Sequence, residues 1–439
     1  MTFWRAGLLL AVLWAGMFCT PWRMYGLNSK SVKSFRPSLF DVGEGVQGFA
    51  ISPDSQSVAL YASTGSNRDE IVSEIQIWDW HTTKMLLRRV VSRRNSVDHS
   101  KYYKGGPFVR YADSGKKLVL CQEGNMLVLD SSTLQELKSI DLDLGPPSLR
   151  GSPGSSEYSK YLHVTDMEVS SNQRVAILLN YGPTGSGEIR VYDFMDGSLL
   201  KKWILTKSDQ FSTKKDQPYE PYFQRAVSID PDGNKITFAS SAVQIDRKPL
   251  QSQEYTVRIL DINSGEETRK IASSTLPIVA RFVSSHPLIV ATVYRGAPSY
   301  PLYSLLTKDP KPYVLSLWNA ESGDLIRTIS STPGGIHDFL EISEDGRIAL
   351  GYINYGKCGF FFPGMESGCA EYDNKFRLWD LTTGEVIATS PAMTRRLTTG
   401  FYFSSETDHV MLSPKGDLVV TGTIGLMERF KPFNFFQLQ

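Results

Sequence analysis

The sequence predicts an all-β fold, a seven-bladed β-propeller, and two repeating patterns carry that prediction. In the first pattern, an alternating apolar–polar run ends in an apolar residue followed by Asp or Asn, and a short turn leads to a second alternating run. The six copies are EIQIWDWHTTKML, MLVLDSSTLQEL, IRVYDFMDGSLL, VRILDINSGEET, LSLWNAESGDLI and FRLWDLTTGEVI. Alternation across a short turn indicates a β-hairpin. A lone hairpin cannot bury its apolar faces, so the copies must pack on one another to form a core.

The second pattern is a turn rich in Ser, Asp, Pro and Gly that follows an apolar run and recurs seven times. Its copies include SPDS, DPDG, SEDG and SPKG, and such residues favour turns because their side chains or backbones suit turn geometry. The turns begin at residues 52, 112, 170, 230, 284, 343 and 413. Each interval has room for four strands, and four-stranded units repeated in a ring are propeller blades.

These letters resemble the WD40 and YVTN-like propeller families over about residues 30–439. SPDS, DPDG and SEDG match the first turn of their repeat, and IWDW, LWN and LWDLTTGE match the end of the third strand. The chain lacks the Gly-His dipeptide of regular WD40 repeats, and its repeat exceeds their roughly 40–45 residues. The resemblance therefore implies the propeller fold, and the departures favour a bacterial-style exported propeller over an intracellular scaffold.

The seventh repeat supplies three strands, from HVMLSPKG, DLVVTGT and GLMERFKPF, before the sequence ends. An unpaired strand edge would expose backbone donors and acceptors. We therefore expect residues 31–40 to form the outer strand of the last blade and close the ring.

Residues 1–25 predict an N-terminal hydrophobic leader helix, which is either a signal peptide or a membrane anchor, and residues 26–439 the propeller. Arg5 precedes AGLLLAVLWAGMF, an uncharged run typical of export signals and at the short end for a bilayer span. The expected location is periplasmic, extracellular or membrane-anchored, with the propeller outside the cytoplasm.

Two of the four cysteines, Cys358 and Cys369, flank the aromatic segment GFFFPGMESG between two predicted strands. In an exported protein they would form a disulfide, whereas two unpaired thiols are expected if export is wrong. Cys121 lies in an alternating strand, where a free buried thiol is expected.

Long connections concentrate between second and third strands and between blades, so we expect one trimmed face and one face covered by long loops. Loops on a rigid scaffold commonly carry binding residues. The candidate binding residues are Arg93, Arg94, Tyr102, Tyr103, Tyr300 and Tyr355. Alternatively, the aromatic residues of these loops fold back and cover the blade ends.

Charge and motifs limit the function. The formal net charge of +1 argues against a nucleic-acid partner, and no nucleophile elbow, phosphate loop or haem motif occurs. No cofactor, metal site or catalytic residue is therefore assigned. His337-Asp338, Asp408-His409, Asp166 and Glu168 are expected near the channel mouth, where they could form a metal or acid–base site but more often serve as structural groups.

The aromatic-Asp pairs Trp78-Asp79, Tyr192-Asp193 and Trp379-Asp380 are expected to be framework, with the ring packed between blades and the carboxylate bonded to turn amides. Overall, the sequence favours a monomeric, non-catalytic propeller that binds a protein, peptide or glycan through its loop-rich face. The alternative is a propeller enzyme, lactonase-like or quinone-dependent, with a site at the central channel.

Overall fold

The computed structural model describes most of the repeating part of the chain. The described residues are 32–35, 45–63, 70–95, 108–122, 124–144, 162–181, 187–205, 226–240, 255–273, 276–283, 288–294, 314–330, 335–358, 369–390, 393–396, 407–424 and 433–438. The predicted leader helix lies outside them. No helix among these residues is long and apolar enough to cross a membrane.

The described residues form seven antiparallel sheets, numbered here in ring order. The N-terminal strand is β1 (Val32–Phe35). Sheet 1 contains β2 (Gly45–Ile51), β3 (Ser57–Ser63), β4 (Glu70–Asp79) and β5 (Lys84–Asn95). Sheet 2 contains β6 (Phe108–Ala112), β7 (Lys117–Gln122), β8 (Asn125–Asp130) and β9 (Glu136–Asp141). Sheet 3 contains β10 (Leu162–Val169), β11 (Arg174–Tyr181), β12 (Gly187–Asp193) and β13 (Leu199–Leu205).

The remaining sheets repeat the same order of strands. Sheet 4 contains β14 (Val227–Ile229), β15 (Lys235–Ser240), β16 (Tyr255–Asp261) and β17 (Glu267–Ser273). Sheet 5 contains β18 (Leu276–Val283), β19 (Leu288–Tyr294), β20 (Val314–Asn319) and β21 (Leu325–Ser330). Sheet 6 contains β22 (Gly335–Ile342), β23 (Ile348–Cys358), β24 (Cys369–Asp380), β25 (Val386–Thr389) and β26 (Met393–Arg396). Sheet 7 contains β27 (Thr407–Leu412), β28 (Leu418–Ile424), β29 (Phe433–Gln437) and β1.

The first strands of successive sheets contact one another in the order β2, β6, β10, β14, β18, β22 and β27, and β27 contacts β2. The chain is therefore an all-β propeller, in which each sheet places its first strand at the central channel and its last strand at the rim. Burial follows from the stacking of sheets: in β3, β7 and β12 consecutive side chains are buried, because a neighbouring sheet covers each face of the strand.

Sheet 7 binds both of its neighbours through adjacent aromatic residues of β29. The Phe435 ring stacks on Trp80 of sheet 1 at a centroid distance of 5.2 Å. The Phe436 ring meets Phe376 of sheet 6 edge-on at 5.1 Å. Because successive side chains of a strand point to opposite faces, one short strand joins the two sides of the ring.

The N-terminal strand pairs with the last strand of the chain, as expected from the incomplete seventh repeat. β1 is antiparallel to β29, with Val32 opposite Phe436 and Phe35 opposite Phe433, and it forms the outer edge of sheet 7. The predicted third strand of this repeat, at residues 425–433, was wrong: the strand is β29, because FNFFQ supplies the buried Phe435 and Phe436.

The aromatic-Asp pairs are framework, as predicted. Trp379 is fully buried between sheets, and the carboxylate of Asp380 accepts the backbone N–H groups of Thr382 and Thr383 at 2.7 and 3.0 Å. The same bonds recur at Asp79 and Asp193. Each carboxylate thus satisfies turn amides that lie outside the strand ladder.

Cys121 is a free, buried cysteine, as predicted. Burial raises the pKa of its thiol to about 12, which keeps the thiol protonated and unreactive at neutral pH.

Candidate functional site

The strand order gives the propeller two different faces. First–second and third–fourth connections emerge on one face, which we name the tight-turn face; Ile51 to Ser57 and Asp79 to Lys84 are examples. Second–third connections and the links between sheets emerge on the opposite face, which we name the long-loop face. Most undescribed segments of the chain belong to these latter connections.

On the tight-turn face, the first–second turns of neighbouring sheets bond to each other. Ser55 Oγ of sheet 1 donates to Asp417 Oδ1 of sheet 7 at 2.7 Å, and Glu344 N of sheet 6 donates to Pro414 O of sheet 7 at 2.6 Å. Ser171 of sheet 3 donates to the carbonyl of Pro231 in sheet 4. Polar groups of these turns are therefore hydrogen-bonded to the neighbouring turn.

The third–fourth turns are held in a similar way by cations from the preceding sheet. Lys201 Nζ of β13 donates to the carbonyl of Ser264 at 2.9 Å. Arg269 of β17 donates to Glu321 O, and Arg327 of β21 donates to Thr382 O. We refer to these as the cation–turn contacts.

The series of cation–turn contacts stops at the junction where the chain ends meet. Ala388 of β25 pairs with Leu378 as Arg327 of β21 pairs with Leu317, so Ala388 occupies the position of the cation. The next sheet is sheet 7, whose third and fourth strands are β29 and β1 and are not joined by a turn. At this junction β25 thus has no cation at the register position, and the next sheet has no third–fourth turn. Sheet 1 has Leu87 at the same register position, and there Arg89 donates to Leu134 O of the sheet 2 turn at 2.6 Å instead.

A cluster of buried and half-buried charges lies in the channel, close to the tight-turn face. It is centred on Arg281 of β18, whose Nη2 lies 3.3 Å from Asp166 Oδ2 and whose Nη1 lies 3.1 Å from Glu168 Oε2. Arg281 also donates to the carbonyl of Val227 at 2.6 Å. Arg281, Asp166 and Glu168 belong to the C-terminal halves of first strands, which run towards the tight-turn face.

The carboxylates of this cluster also bond to the backbone of the next sheet. Asp166 accepts the N–H of Val227 at 2.9 Å, and Glu168 accepts the N–H of Ile229 at 3.1 Å. Three sheets further round the ring, Glu341 of sheet 6 accepts the N–H of Leu412 in sheet 7 at 2.6 Å. Edge donors of the first strands are thus satisfied by side chains instead of a neighbouring strand.

Burial sets the direction of the pKa shift for the two glutamates of the cluster, and charge pairing sets it for the arginine. Burial raises the pKa of Glu341 to about 7, although Arg110 and Arg281 and the N–H of Leu412 favour the charged carboxylate. Burial likewise raises the pKa of Glu168, and Arg281 opposes that shift. Burial disfavours the charged form of Arg281, but Asp166, Glu168 and Glu341 outweigh it and raise the pKa of the guanidinium.

Sequence reasoning found Asp166 and Glu168 but missed Arg110, Arg281 and Glu341. The signal was present: each of the three interrupts the apolar end of a first strand, in FVRYA, ARFV and LEI. Recognising it required knowing which strands line the channel.

On the long-loop face, sheet 6 extends beyond the end of its innermost strand. β22 begins at Gly335, opposite Asn354, but the ladder between β23 and β24 continues to Cys358 opposite Cys369. β26 adds a third strand, with Arg395 opposite Tyr372 and Arg396 opposite Glu371. We name this three-stranded extension the sheet 6 projection.

Sheet 1 has a smaller extension at the same face. β3 ends at Ser63, opposite Ser73, whereas β4 and β5 pair as far as Glu70 and Asn95. Arg93 is opposite Val72 and Arg94 is opposite Ile71 in this part, which we name the sheet 1 projection. In the ring the two projections flank sheet 7.

The structure thus changes the setting of three predicted binding residues. Arg93, Arg94 and Tyr355 were expected in loops, which was wrong: they lie in β5 and β23, because continued pairing satisfies the backbone of these segments. Arg93 is exposed. Tyr102, Tyr103 and Tyr300 lie outside the described residues, so the binding role of the whole set stays a prediction.

The histidine pairs of the channel hypothesis are described by backbone alone. His337-Asp338 lies in β22 and Asp408-His409 near the start of β27, both towards the long-loop face and away from the Arg281 cluster. Within the described ranges, no group of three or more His, Cys, Asp or Glu side chains could hold a metal ion.

Cys358 and Cys369 occupy opposite positions in the backbone register of β23 and β24. Their side chains are outside the described set, so the disulfide stays a prediction.

Comparisons with known proteins give no family. No protein-family model matches the chain, and no curated protein matches it. Among solved structures, it is similar to a chain of Kuenenia stuttgartiensis hydrazine synthase, with 14% identity, a TM-score of 0.47 and coverage of 90% of this chain and 100% of that one. It is also similar to a chain of a mitotic checkpoint complex, with 11% identity, a TM-score of 0.47 and coverage of 94% and 95%. Neither likeness bears on what this protein binds.

Proposed function

We propose that this protein is a non-catalytic, exported, WD40/YVTN-like propeller whose seven sheets form one closed ring, and that it binds a protein or peptide through its long-loop face. Glycan is the other ligand class that the aromatic and basic loops suit. The observation that carries the proposal is the contrast between the two faces. Turn-to-turn bonds and cation–turn contacts occupy several polar groups of the tight-turn face, whereas the long-loop face carries the two projections.

The sector around sheet 7 is the best candidate for the binding surface. The sheet 6 projection and the sheet 1 projection rise on either side of it. Sequence places Tyr355 and Tyr372 on the first projection and Arg93 and Arg94 on the second. Tyrosine and arginine are enriched in protein interfaces because they combine apolar area with hydrogen bonding.

The test is affinity capture with the full chain from the exported and membrane fractions of its own cells. The double variant Arg93→Glu, Arg94→Glu reverses the charge of the sheet 1 projection. The matched control is Lys116→Glu, an exposed charge reversal on the tight-turn face of sheet 2. We expect the double variant to lose partners that the control retains. Equal recovery by both variants would remove the sheet 1 projection from the interface.

The Arg281 cluster is the observation that favours the alternative, a channel enzyme. Three carboxylates lie near one another there, and the pKa of Glu341 is about 7, a value suited to proton transfer. However, Asp166, Glu168 and Glu341 each accept a backbone N–H from the adjacent sheet. We therefore assign the cluster to holding the ring together.

The two roles of the cluster give different results for Glu341→Gln. The amide keeps an acceptor for the N–H of Leu412 but cannot exchange a proton at neutral pH. A holding role predicts unchanged partner capture and altered pH dependence of stability. Loss of a measured catalytic activity in a folded Glu341→Gln protein would instead support the enzyme.

A further inference from the structure

The N-terminal strand gives the propeller a direction relative to the segment that precedes it. Val32, the first residue of β1, lies opposite Phe436, and the neighbouring Gln437 lies opposite Leu418. Leu418 is the first residue of β28 and directly follows the first–second turn of sheet 7, which belongs to the tight-turn face. The chain therefore enters the propeller from the tight-turn face, at the rim.

The distance from the apolar run to this entry point is short. Residues 19–31 separate the run that ends at Phe18 from Val32. Thirteen residues span at most about 45 Å when fully extended. To bring the long-loop face as close to the apolar run as the tight-turn face is, this linker would first have to run back along the outside of sheet 7. A seven-residue strand alone takes about 23 Å of that reach.

The rim of the tight-turn face carries exposed aliphatic side chains on four sheets. Near their starts, the outer strands of these sheets have pairs of aliphatic side chains that are 37% to 52% exposed. The pairs are Met85 and Leu86 of sheet 1, Leu199 and Leu200 of sheet 3, Leu325 and Ile326 of sheet 5, and Val386 and Ile387 of sheet 6. The outer strands of sheets 2 and 4 instead begin with Glu136 and Glu267. Exposed apolar side chains that recur on one edge are typical of a surface that meets an apolar phase.

We propose that the tight-turn face is the membrane-proximal face of the propeller, resting by its aliphatic rim against the bilayer that holds residues 6–18, with the long-loop face directed away. This orientation rests on the proposed export with a retained leader. It explains how one face could be committed to the membrane while the projections of sheets 1 and 6 remain accessible to a partner.

The test compares two labels in the same sheet. The full chain, carrying Cys19→Ser, is reconstituted into phosphatidylcholine vesicles that contain a lipid with a nitroxide on its headgroup. A fluorophore is attached at Lys116→Cys on the tight-turn face or at Asn125→Cys on the long-loop face. Both positions are exposed sites in sheet 2. The same protein without either new cysteine measures labelling of the native cysteines, of which Cys121 is buried.

We expect the nitroxide to quench the label at residue 116 strongly and the label at residue 125 little. Equal quenching, or stronger quenching at residue 125, would overturn the orientation. Vesicle flotation is measured on each sample, so a chain that fails to float contradicts the retained anchor itself, and with it this inference. If either variant melts below the parent, Lys415→Cys and Asp143→Cys provide a second exposed pair on the same two faces.

Discussion

Arg281 of sheet 5 and Glu168 of sheet 3 form an ion pair across the intervening sheet 4, with 3.1 Å between Nη1 and Oε2. They are 113 residues apart in the chain. The guanidinium also donates to Val227 O in sheet 4 and lies 3.4 Å, through Nε, from Leu340 O in sheet 6. One side chain thus links four consecutive sheets, its own included.

Replacing Arg281 with Met is expected to lower the free energy of unfolding by about 3–5 kcal/mol, the usual result of leaving buried carboxylates without their cation. Adding Asp166→Asn and Glu168→Gln to that variant should recover part of the loss, because no uncompensated charge then remains. Denaturant unfolding of the three proteins measures both effects.

Arg269→Met is the matched control, because Arg269 makes a single cation–turn contact at an exposed position. Exposed interactions of this kind contribute about 1 kcal/mol or less. If Arg281→Met cost no more than Arg269→Met, the channel cluster would not hold the sheets together.

The raised pKa of Glu341 predicts that the free energy of unfolding falls as pH rises. Its pKa is about 7 in the folded protein against a model value of 4.5, because burial disfavours its charge. Between these two values the folded state binds more protons than the unfolded state, so the stabilising contribution is complete below about pH 4.5 and is lost as pH rises through 7. The shift corresponds to at most about 3 kcal/mol.

The measurement is the difference in free energy of unfolding between pH 5 and pH 8, for the wild-type protein and for Glu341→Gln. The glutamine variant should lose less stability over this interval than the wild type. Glu344→Gln, an exposed substitution on the same sheet, controls for the charge change. The same pH dependence in all three proteins would assign the effect to other groups.

The framework of this fold was predictable because the same hydrogen bonds between an Asp carboxylate and turn amides recur in several repeats. Asp380 and its counterparts bond to turn amides a few residues away, and such short-range bonds leave a fixed pattern in the sequence. The pairing of β1 with β29 was also predictable, since a three-stranded last repeat lacks an edge partner.

The channel cluster was less accessible to sequence reasoning because its partners are far apart in the chain. Nothing near Arg281 in sequence indicates Asp166 or Glu168, which the ring brings to it from two sheets away. Likewise, β26 pairs with β24, although its short MTRR segment has no alternating pattern that would predict a strand. Local patterns therefore predicted turns and strands, whereas contacts between residues of different repeats have no such local pattern.

Closure of the ring by β29 gives a third prediction. Phe435→Ala and Phe436→Ala should each lower the free energy of unfolding by about 3–5 kcal/mol, because each removes a buried aromatic ring from a contact with a different neighbouring sheet. Gln437→Ala, at an exposed position of the same strand, should change it little. Calorimetry of the three variants makes the comparison, and a negligible effect of either Phe variant would show that sheet 7 is not tightly closed on that side.

The cation–turn contacts predict a difference between two glycines with the same backbone conformation. Gly265 and Gly323 have φ values of +81° and +80°, and an alanine at either should cost about 1–2 kcal/mol. A Cβ at Gly265 would also collide with Lys201 Cε, whereas one at Gly323 would lie 3.4 Å from Arg269 Cδ. The flexible end of Lys201 can move away, but it then gives up its bond to Ser264 O, so Gly265→Ala should cost at most about 1 kcal/mol more than Gly323→Ala in unfolding experiments. In a Lys201→Ala background the two costs should become equal, and a persistent excess would place the strain elsewhere.

The sequence predicts a disulfide between Cys358 and Cys369 if the protein is exported as proposed. The two residues are opposite each other in the ladder of β23 and β24, directly after a register shift between Lys357 and Cys358. Closing so short a loop stabilises by about 3 kcal/mol in the chain-entropy model. Reductant should therefore lower the melting temperature of the wild-type protein but not that of Cys358→Ser, Cys369→Ser. Equal melting of the wild type with and without reductant would contradict the bridge, and it would leave the projection held by backbone pairing alone.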